Sequence, residues 1–271
     1  GALAAPAGRA LVRILFIGDV VGRPGRRAVE ERLGALRAER EVDFCVLNGE
    51  NLADGVGITP KLADRMLAAG ADAITLGNHT WRRTEIGPYL ARSQRVVRPA
   101  NLSAASPGSG LTVLPARNGT MVAVVNLLGS LYLEPARTMW EVVDDLVAEA
   151  QRTTRVVVVD VHAEATSEKI ALAHWLDGRV TAVLGTHTHV QTSDARIQPG
   201  GTAAMTDVGM TGPHDSVLGV ERDLAIARMR TGMPVRFETA AGGVRIEGAL
   251  VSCDPATGRA SAIEPVRVRV A

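Results

Sequence analysis

The sequence predicts an α/β protein in which two packed sheets carry helices on their outer faces. Two observations lead there. Between residues 12 and 77, short β-branched runs alternate with amphipathic stretches in the order βαβαβ. That order requires parallel strands joined by right-handed crossovers. From about residue 95 the pattern resumes with a hairpin signal, further strand–helix alternation and a tail of short strands between Gly-rich turns.

The elements follow in order. Val12–Ile17 (VRILFI) is a buried strand ending at Gly18-Asp19. Pro24-Gly25 precede a helix over about 25–39, with Val29, Leu33 and Leu36 on one stripe. Phe44–Leu47 is the next strand. Thr59-Pro60 is an N-cap with proline at the first helical position, opening a helix to about Ala69. Ala71–Leu76 is a third strand. Strands follow near 111–115 and 121–128, joined by an Asn118-Gly119 turn. A helix at 136–151, a strand at 155–161, a helix at 167–176 and a strand at 179–184 come next. The tail from about 195, with Gly200-Gly201 and Gly242-Gly243, suggests a second sheet. Residues 12–271 read as one domain and residues 1–11 as a leader or cloning remnant.

Composition excludes several classes of function. With 271 residues and 46% hydrophobic content the chain builds a real core rather than remaining disordered. A net charge of +1 and an aromatic content of 3% speak against a general nucleic-acid surface. No apolar run approaches the ~20 residues of a membrane span, and no secretory signal pattern is present; the expected location is the cytoplasm. Cys45 and Cys253 sit in apolar runs without a CxxC motif and read as buried thiols.

The predicted strand ends carry the chemistry. They are Gly18-Asp19, Asn48-Gly49-Glu50-Asn51, Gly77-Asn78-His79, Asp160-Val161-His162 and Gly185-Thr186-His187-Thr188-His189. In parallel α/β sheets, functional groups gather at the carboxyl ends of strands. Taken singly, each has a plain reading: Asp19 as a helix-start carboxylate, the second and third motifs as turns, His187 and His189 as loop residues. Together they supply two carboxylates (Asp19, Glu50), two amides (Asn51, Asn78) and three imidazoles (His162, His187, His189). That is more than one tetrahedral zinc takes. The set suits two ions of the Fe or Mn type, with Zn or Mg as alternatives. On an extended segment, His187 and His189 would face the same side.

These motifs, worded RILFIGDVVGRPGR, NGENLADGVGIT, LGNHTW and GTHTHVQT, with the run Thr206–Pro213, resemble the YmdB-like branch of the calcineurin-like metallophosphoesterases over about residues 13–270. The resemblance implies a four-layer α/β/β/α sandwich with a dinuclear metal site. It implies hydrolysis of phosphodiesters, with cyclic nucleotides of the 2′,3′-cyclic AMP class as substrate and a metal-bridging hydroxide as nucleophile. One ion would take Asp19, Glu50, Asn51 and His189. The other would take Glu50, Asn78, His162 and His187, with Glu50 as the bridge. His79 would protonate the leaving oxygen. Three positions depart from the wider superfamily: Val21 replaces a histidine, Glu50-Asn51 replace an aspartate motif, and Thr80 replaces an acid after His79. The last leaves the orientation of His79 unexplained.

Other residues stay open at this level. Arg23, Arg26, Arg82 and Arg83 read as phosphate contacts or solvated charge, Trp81 as a nucleobase platform or packing. His214 reads as a site border or an ordinary loop residue, His174 as structural. Two alternatives accompany the phosphodiesterase reading: a phosphomonoesterase or nucleotidase on the same metal core, and a non-catalytic, RNA-associated regulatory module. The family resemblance also makes a homo-oligomer an expectation.

Overall fold

The computed structural model describes residues 11–270; the leader reading for residues 1–10 falls outside them. In chain order, β1 (Val12–Ile17) and the short β2 (Asp19–Val20) lead into α1 (Gly22–Glu39). Gly22 has φ +58° and turns the chain from β2 directly into the helix, which therefore starts ahead of Pro24-Gly25. Next come β3 (Phe44–Asn48), α2 (Pro60–Ala68), β4 (Ala73–Thr75), α3 (Ile86–Leu90) and β5 (Val96–Val97). The Thr59 side chain accepts from the Leu62 amide and caps α2 as its sequence signals.

The hairpin β6 (Leu111–Pro115) and β7 (Met121–Leu128) turns at Gly119, φ +85°. The predicted helix at 136–151 is shorter: a 3₁₀ turn at Met139–Glu141 precedes α4 (Val143–Gln151). Thr138 and Glu141 form a capping box that fixes the start of that turn and leaves 136–138 outside it. There follow β8 (Val157–His162), α5 (Thr166–Trp175), β9 (Ala182–Thr186), β10 (Arg196–Ile197) and β11 (Ala203–Met205). The chain closes with β12 (Met210–Pro213), α6 (Arg222–Thr231), β13 (Val244–Cys253) and β14 (Ala260–Arg269).

One sheet runs β2-β12-β13-β1-β3-β4-β5, with β14 paired along β13; the other runs β10-β11-β9-β8-β7-β6. Strands β1, β3, β4 and β5 are parallel, as are β7, β8, β9 and β11. The tail corrects its sequence reading. It makes no sheet of its own: β10 and β11 extend the second sheet, whereas β12, β13 and β14 complete the first. The helix α6 escaped prediction because it buries only Ala225 and so lacks a core-facing stripe.

Strand alternation builds four layers. Ile14, Phe16, Phe44 and Val46 of the first sheet meet Val122, Val124, Val158 and Leu184 of the second in one core. Leu15, Ile17 and Leu47 point the other way, onto Val29, Leu33 and Met66 of α1 and α2. Val125, Val157 and Val159 point onto Val143, Val147 and Leu172 of α4 and α5. The result is an α/β/β/α sandwich. Among the described residues, no helix is long and apolar enough to cross a membrane.

The sheets join where the chain passes from β11 to β12. There Gly18 lies against the Gly209 main chain and Gly185 against that of Thr206; a Cβ on either glycine would overlap a carbonyl oxygen. Gly34, by contrast, is an exposed helical glycine with nothing near its missing Cβ. Gly34→Ala should therefore raise stability by about 0.5–1 kcal/mol, while Gly18→Ala should cost at least about 1–3 kcal/mol through overpacking. Urea midpoints of the two variants moving in the same direction would contradict this account.

Candidate metal centre

Every strand-end motif reaches the same end of the sandwich. Asp19 stands in β2, Glu50 and Asn51 follow β3, Asn78 and His79 follow β4, His162 ends β8, and His187 and His189 follow β9. Asp19, Glu50 and His162 are fully buried and Asn51 nearly so. Ligand atoms of Glu50, His162 and His187 lie within 4.8 Å of one another. Gly77 is what lets Glu50 and His162 approach, since a side chain there would strike both.

The hydrogen-bond pattern assigns each ring nitrogen. Thr186 Oγ1 donates to Asp160 Oδ1 (2.7 Å), so it accepts from His162 Nδ1–H (2.9 Å) and leaves Nε2 bare. The Leu218 carbonyl accepts from His189 Nδ1–H at 3.0 Å, leaving Nε2 bare. His187 Nε2 pairs with Glu164 Oε2 at 3.1 Å, leaving Nδ1 bare. Each histidine thus has one nitrogen tied to a neighbour and the other turned inward, the arrangement of metal-ligating histidines.

The inward nitrogens are left facing other acceptors. His187 Nδ1 and His162 Nε2 stand 3.0 Å apart, and His162 Nε2 is 3.2 Å from Glu50 Oε1 and 3.1 Å from Asn78 Oδ1. Buried Glu50 Oε1 and Asp19 Oδ1 accept no hydrogen bond. Lone pairs converging in a buried space call for a cation, and oxygen plus imidazole donors suit a divalent metal. Glu50, His162 and His187 therefore form a cluster whose donors fit a divalent ion. Around it, His189 Nε2 lies 3.7 Å from Asp19 Oδ1 and 3.1 Å from the Asn51 amide nitrogen.

The electrostatics agree. Burial pushes the Asp19 carboxyl up. Burial also pushes Glu50 up, but the neighbouring His162 and His79 outweigh it and hold Glu50 well below the usual carboxylate range. Burial depresses His162, yet Glu50, Asp19 and Asp160 raise it to about 9. His187, desolvated and beside His162, falls to about 3.

Two sequence readings change. The His187-Thr188-His189 segment is not extended: His187 has φ +99° and His189 φ +63°. Asp207 Oδ2 holds both the amide (3.0 Å) and the hydroxyl (2.8 Å) of Thr188, and Lys169 Nζ pairs with the same oxygen at 3.0 Å. With the backbone pinned there, the two imidazoles meet different partners, His187 facing His162 and Glu164 and His189 facing Asp19 and Asn51. His79 also gains the orientation its sequence left unexplained. Its amide donates to Glu50 Oε2 (2.9 Å) and its Nδ1 to Asn51 Oδ1 (2.8 Å), so Glu50 and Asn51 do the work of an acid at position 80.

The remaining candidates sort plainly. His214 sits with Nε2 3.4 Å from Glu247, beside a cavity that His189 also lines. His174 is exposed, and Trp81 is too exposed to be core. Cys45 and Cys253 are buried free thiols pushed up to about 12 by burial. Sequence reasoning missed Glu164, Lys169 and Thr186 as supports; Lys169 alone carried a signal, as one of only two lysines in the chain.

Comparison with known proteins came out as follows. The family model described as YmdB-like protein matches residues 15–266. The chain is 48% identical over 257 residues to the 2′,3′-cyclic-nucleotide 2′-phosphodiesterase of Bacillus subtilis, covering 95% of this chain and 97% of that one. A crystal structure of a hypothetical protein from Thermus thermophilus superposes with TM-score 0.89 at 41% identity, over 96% of this chain and 100% of that one. A structure described as a novel phosphatase from Mycoplasma pneumoniae superposes with TM-score 0.88 at 33% identity, over 96% and 94% of the two chains.

The buried Lys169–Asp207 pair generates a test. Lys169→Met leaves a buried carboxylate uncompensated and should cost about 3–5 kcal/mol. Adding Asp207→Asn to it should recover part of that loss in urea unfolding. A single variant as stable as the parent would remove the pair from this role.

Proposed function

We propose that this chain, which belongs to the YmdB-like family, is a metal-dependent phosphodiesterase acting on 2′,3′-cyclic nucleotides. The observation that carries the reading is the convergence of bare imidazole nitrogens and carboxylate oxygens without hydrogen bonds at one sheet end, in a chain so similar to a named 2′,3′-cyclic-nucleotide 2′-phosphodiesterase. Asp19, Glu50, Asn51 and His189 would hold one divalent ion; Glu50, Asn78, His162 and His187 would hold another, Fe or Mn being favoured by the donor set. Such ions supply Lewis acidity to a phosphoryl group and a more acidic water.

The protein's own part is proton placement and rigidity. Hydrolysis adds water to phosphorus and breaks the bond to the ribose 2′ oxygen, which must gain a proton; a 3′-monophosphate results. His79 is partly exposed, and its Nδ1 is tied to Asn51 with Glu50 Oε1 3.2 Å away. Nε2 is then the nitrogen free to face a ligand and to deliver that proton. The tethers on His162, His187 and His189 keep their inward nitrogens in place while ligands exchange.

The test is hydrolysis of 2′,3′-cyclic AMP with Mn²⁺ or Fe²⁺, beside a chelated control, an Asn78→Ala variant and the 2′- and 3′-monophosphates. The expected result is a 3′-monophosphate product lost in both controls. Hydrolysis of the monophosphates alone would turn the reading to a phosphomonoesterase. His79→Ala should keep the ions by metal analysis and lose about 10²–10⁴-fold in kcat; normal turnover there would take His79 out of the reaction.

A further inference from the structure

Beside the candidate metal centre lies a second cavity, of about 530 Å³, walled by Arg26, Arg82 and Arg83 together with Thr59 and Thr84. It opens at the same end of the first sheet. Arg26 is the fifth residue of α1, and Ala53 and Asp54 of the lining follow Asn51 by two and three residues. Arg82 follows His79 by three, its amide donating to the His79 carbonyl at 3.0 Å. Three residues span at most ~10 Å, so the lining belongs to the same two loops that carry Asn51 and His79.

Among the described residues no carboxylate forms an ion pair with any of the three guanidinium groups, although Asp54 and Glu30 act on Arg26 at longer range. Arg26 donates to the carbonyl of Leu52, and Arg83 to that of Ala53 at 3.5 Å, both in the loop that carries Asn51. The buried Nε of Arg26 makes no hydrogen bond. Asp54 and Glu85 also line the cavity, so three positive groups face two negative ones and an excess positive charge remains. Anchoring Arg26 and Arg83 through main-chain oxygens spends part of each fork and leaves further N–H donors for an anion, the exposed Arg82 keeps its whole fork, and guanidinium suits phosphate in charge and shape. An ordinary solvated surface arginine needs none of this anchoring.

We infer that this pocket binds a second phosphate of the substrate, the one on the 5′ oxygen of the nucleoside whose 2′,3′-cyclic phosphate enters the metal centre. The inference rests on the phosphodiesterase reading for the position of the first phosphate. The same 5′ phosphate occurs in two settings: as a terminal monoester on a mononucleotide, and as the bridging diester that precedes a cyclic-phosphate end of an RNA fragment. Either makes a 5′-unphosphorylated cyclic nucleotide the poorer substrate.

The test compares the protein with an Arg82→Ala/Arg83→Ala variant, both side chains being exposed, on three substrates. These are adenosine 2′,3′-cyclic phosphate, its 5′-phosphorylated form, and the dinucleotide ApA ending in a 2′,3′-cyclic phosphate. A 5′ phosphate should lower KM by roughly tenfold, the scale of one charge-assisted contact, and the ratio should fall to about one in the variant. A gain for the mononucleotide only assigns the pocket to a terminal phosphate; a gain for the dinucleotide assigns it to RNA ends. Equal KM values for all three, or a ratio unchanged in the variant, overturn the proposal. Calorimetric titration of metal-depleted protein with inorganic phosphate gives a readout free of turnover: saturable binding in the parent, lost in the variant. If phosphate binds that way but no substrate is hydrolysed, the hydrolytic reading falls and the pocket stands. No phosphate binding, or equal binding in both proteins, removes the pocket.

Discussion

Four carboxylates, Asp19, Glu50, Asp160 and Asp207, are buried at one end of the sandwich, none more than 1% exposed. Ionised carboxylates do not persist in a protein interior without hydrogen bonds or counter-charge, so the surroundings of these four set the architecture there. Asp160 is met by Thr186 and by the Asn48 amide at 3.1 Å, and burial raises it to about 6. Asp207 has Lys169 and three N–H or O–H donors. Asp19 and Glu50 differ in kind: each keeps a buried oxygen with no hydrogen bond, and the groups nearest those oxygens are imidazoles. The first pair is satisfied by hydrogen bonds and an ammonium of the protein; the second faces imidazoles and leaves one oxygen on each carboxylate with no hydrogen bond.

The loops that present these groups are shaped by close approach of the two sheets. Gly18, Gly77 and Gly185 each stand where a side chain would collide with main chain or with a candidate ligand. The glycines that begin the motifs are therefore packing requirements, and the polar residues that follow them arrive in register because the strands behind them are parallel. This explains why the motifs were legible from the chain alone. A run such as Val12–Ile17 can be read as a buried strand from its β-branched residues, and the Gly-Asp after it as a strand end. The same local logic located Glu50, Asn78, His79 and His162.

What stayed hidden in the sequence was set by distant contacts. The bend at His187 and His189 depends on Asp207, about twenty residues away, and on Lys169 in another element. Nothing in the local Thr-His-Thr-His pattern announces a left-handed backbone, and an extended reading was the natural one. The orientation of His79 depends on Asn51, 28 positions earlier. The tail misled for a related reason: short strands between glycines show that strands exist, not which sheet they join, and β11 and β12 go to different sheets although only four residues separate them. In α6 the failure was of another sort, since a helix burying one residue leaves no periodic signal to find.

The identity of residue 169 carries this reasoning one step further. In a chain whose basic residues are otherwise almost all arginine, the one fully buried cation beside the candidate site is a lysine. Its stem lies against bare Gly185, and its ammonium reaches an Asp207 oxygen already shared with two Thr188 donors. A guanidinium would bring five N–H groups and a wider plane to that crowded oxygen; an ammonium brings a compact charge. The consequence is a division of labour. The bend that carries His187 and His189 is held by a charge covalently part of the protein, whereas the oxygens those histidines face, on Glu50 and Asp19, accept no hydrogen bond. The ion pair that sets the geometry of the bend is thus separate from the carboxylates that face the candidate site.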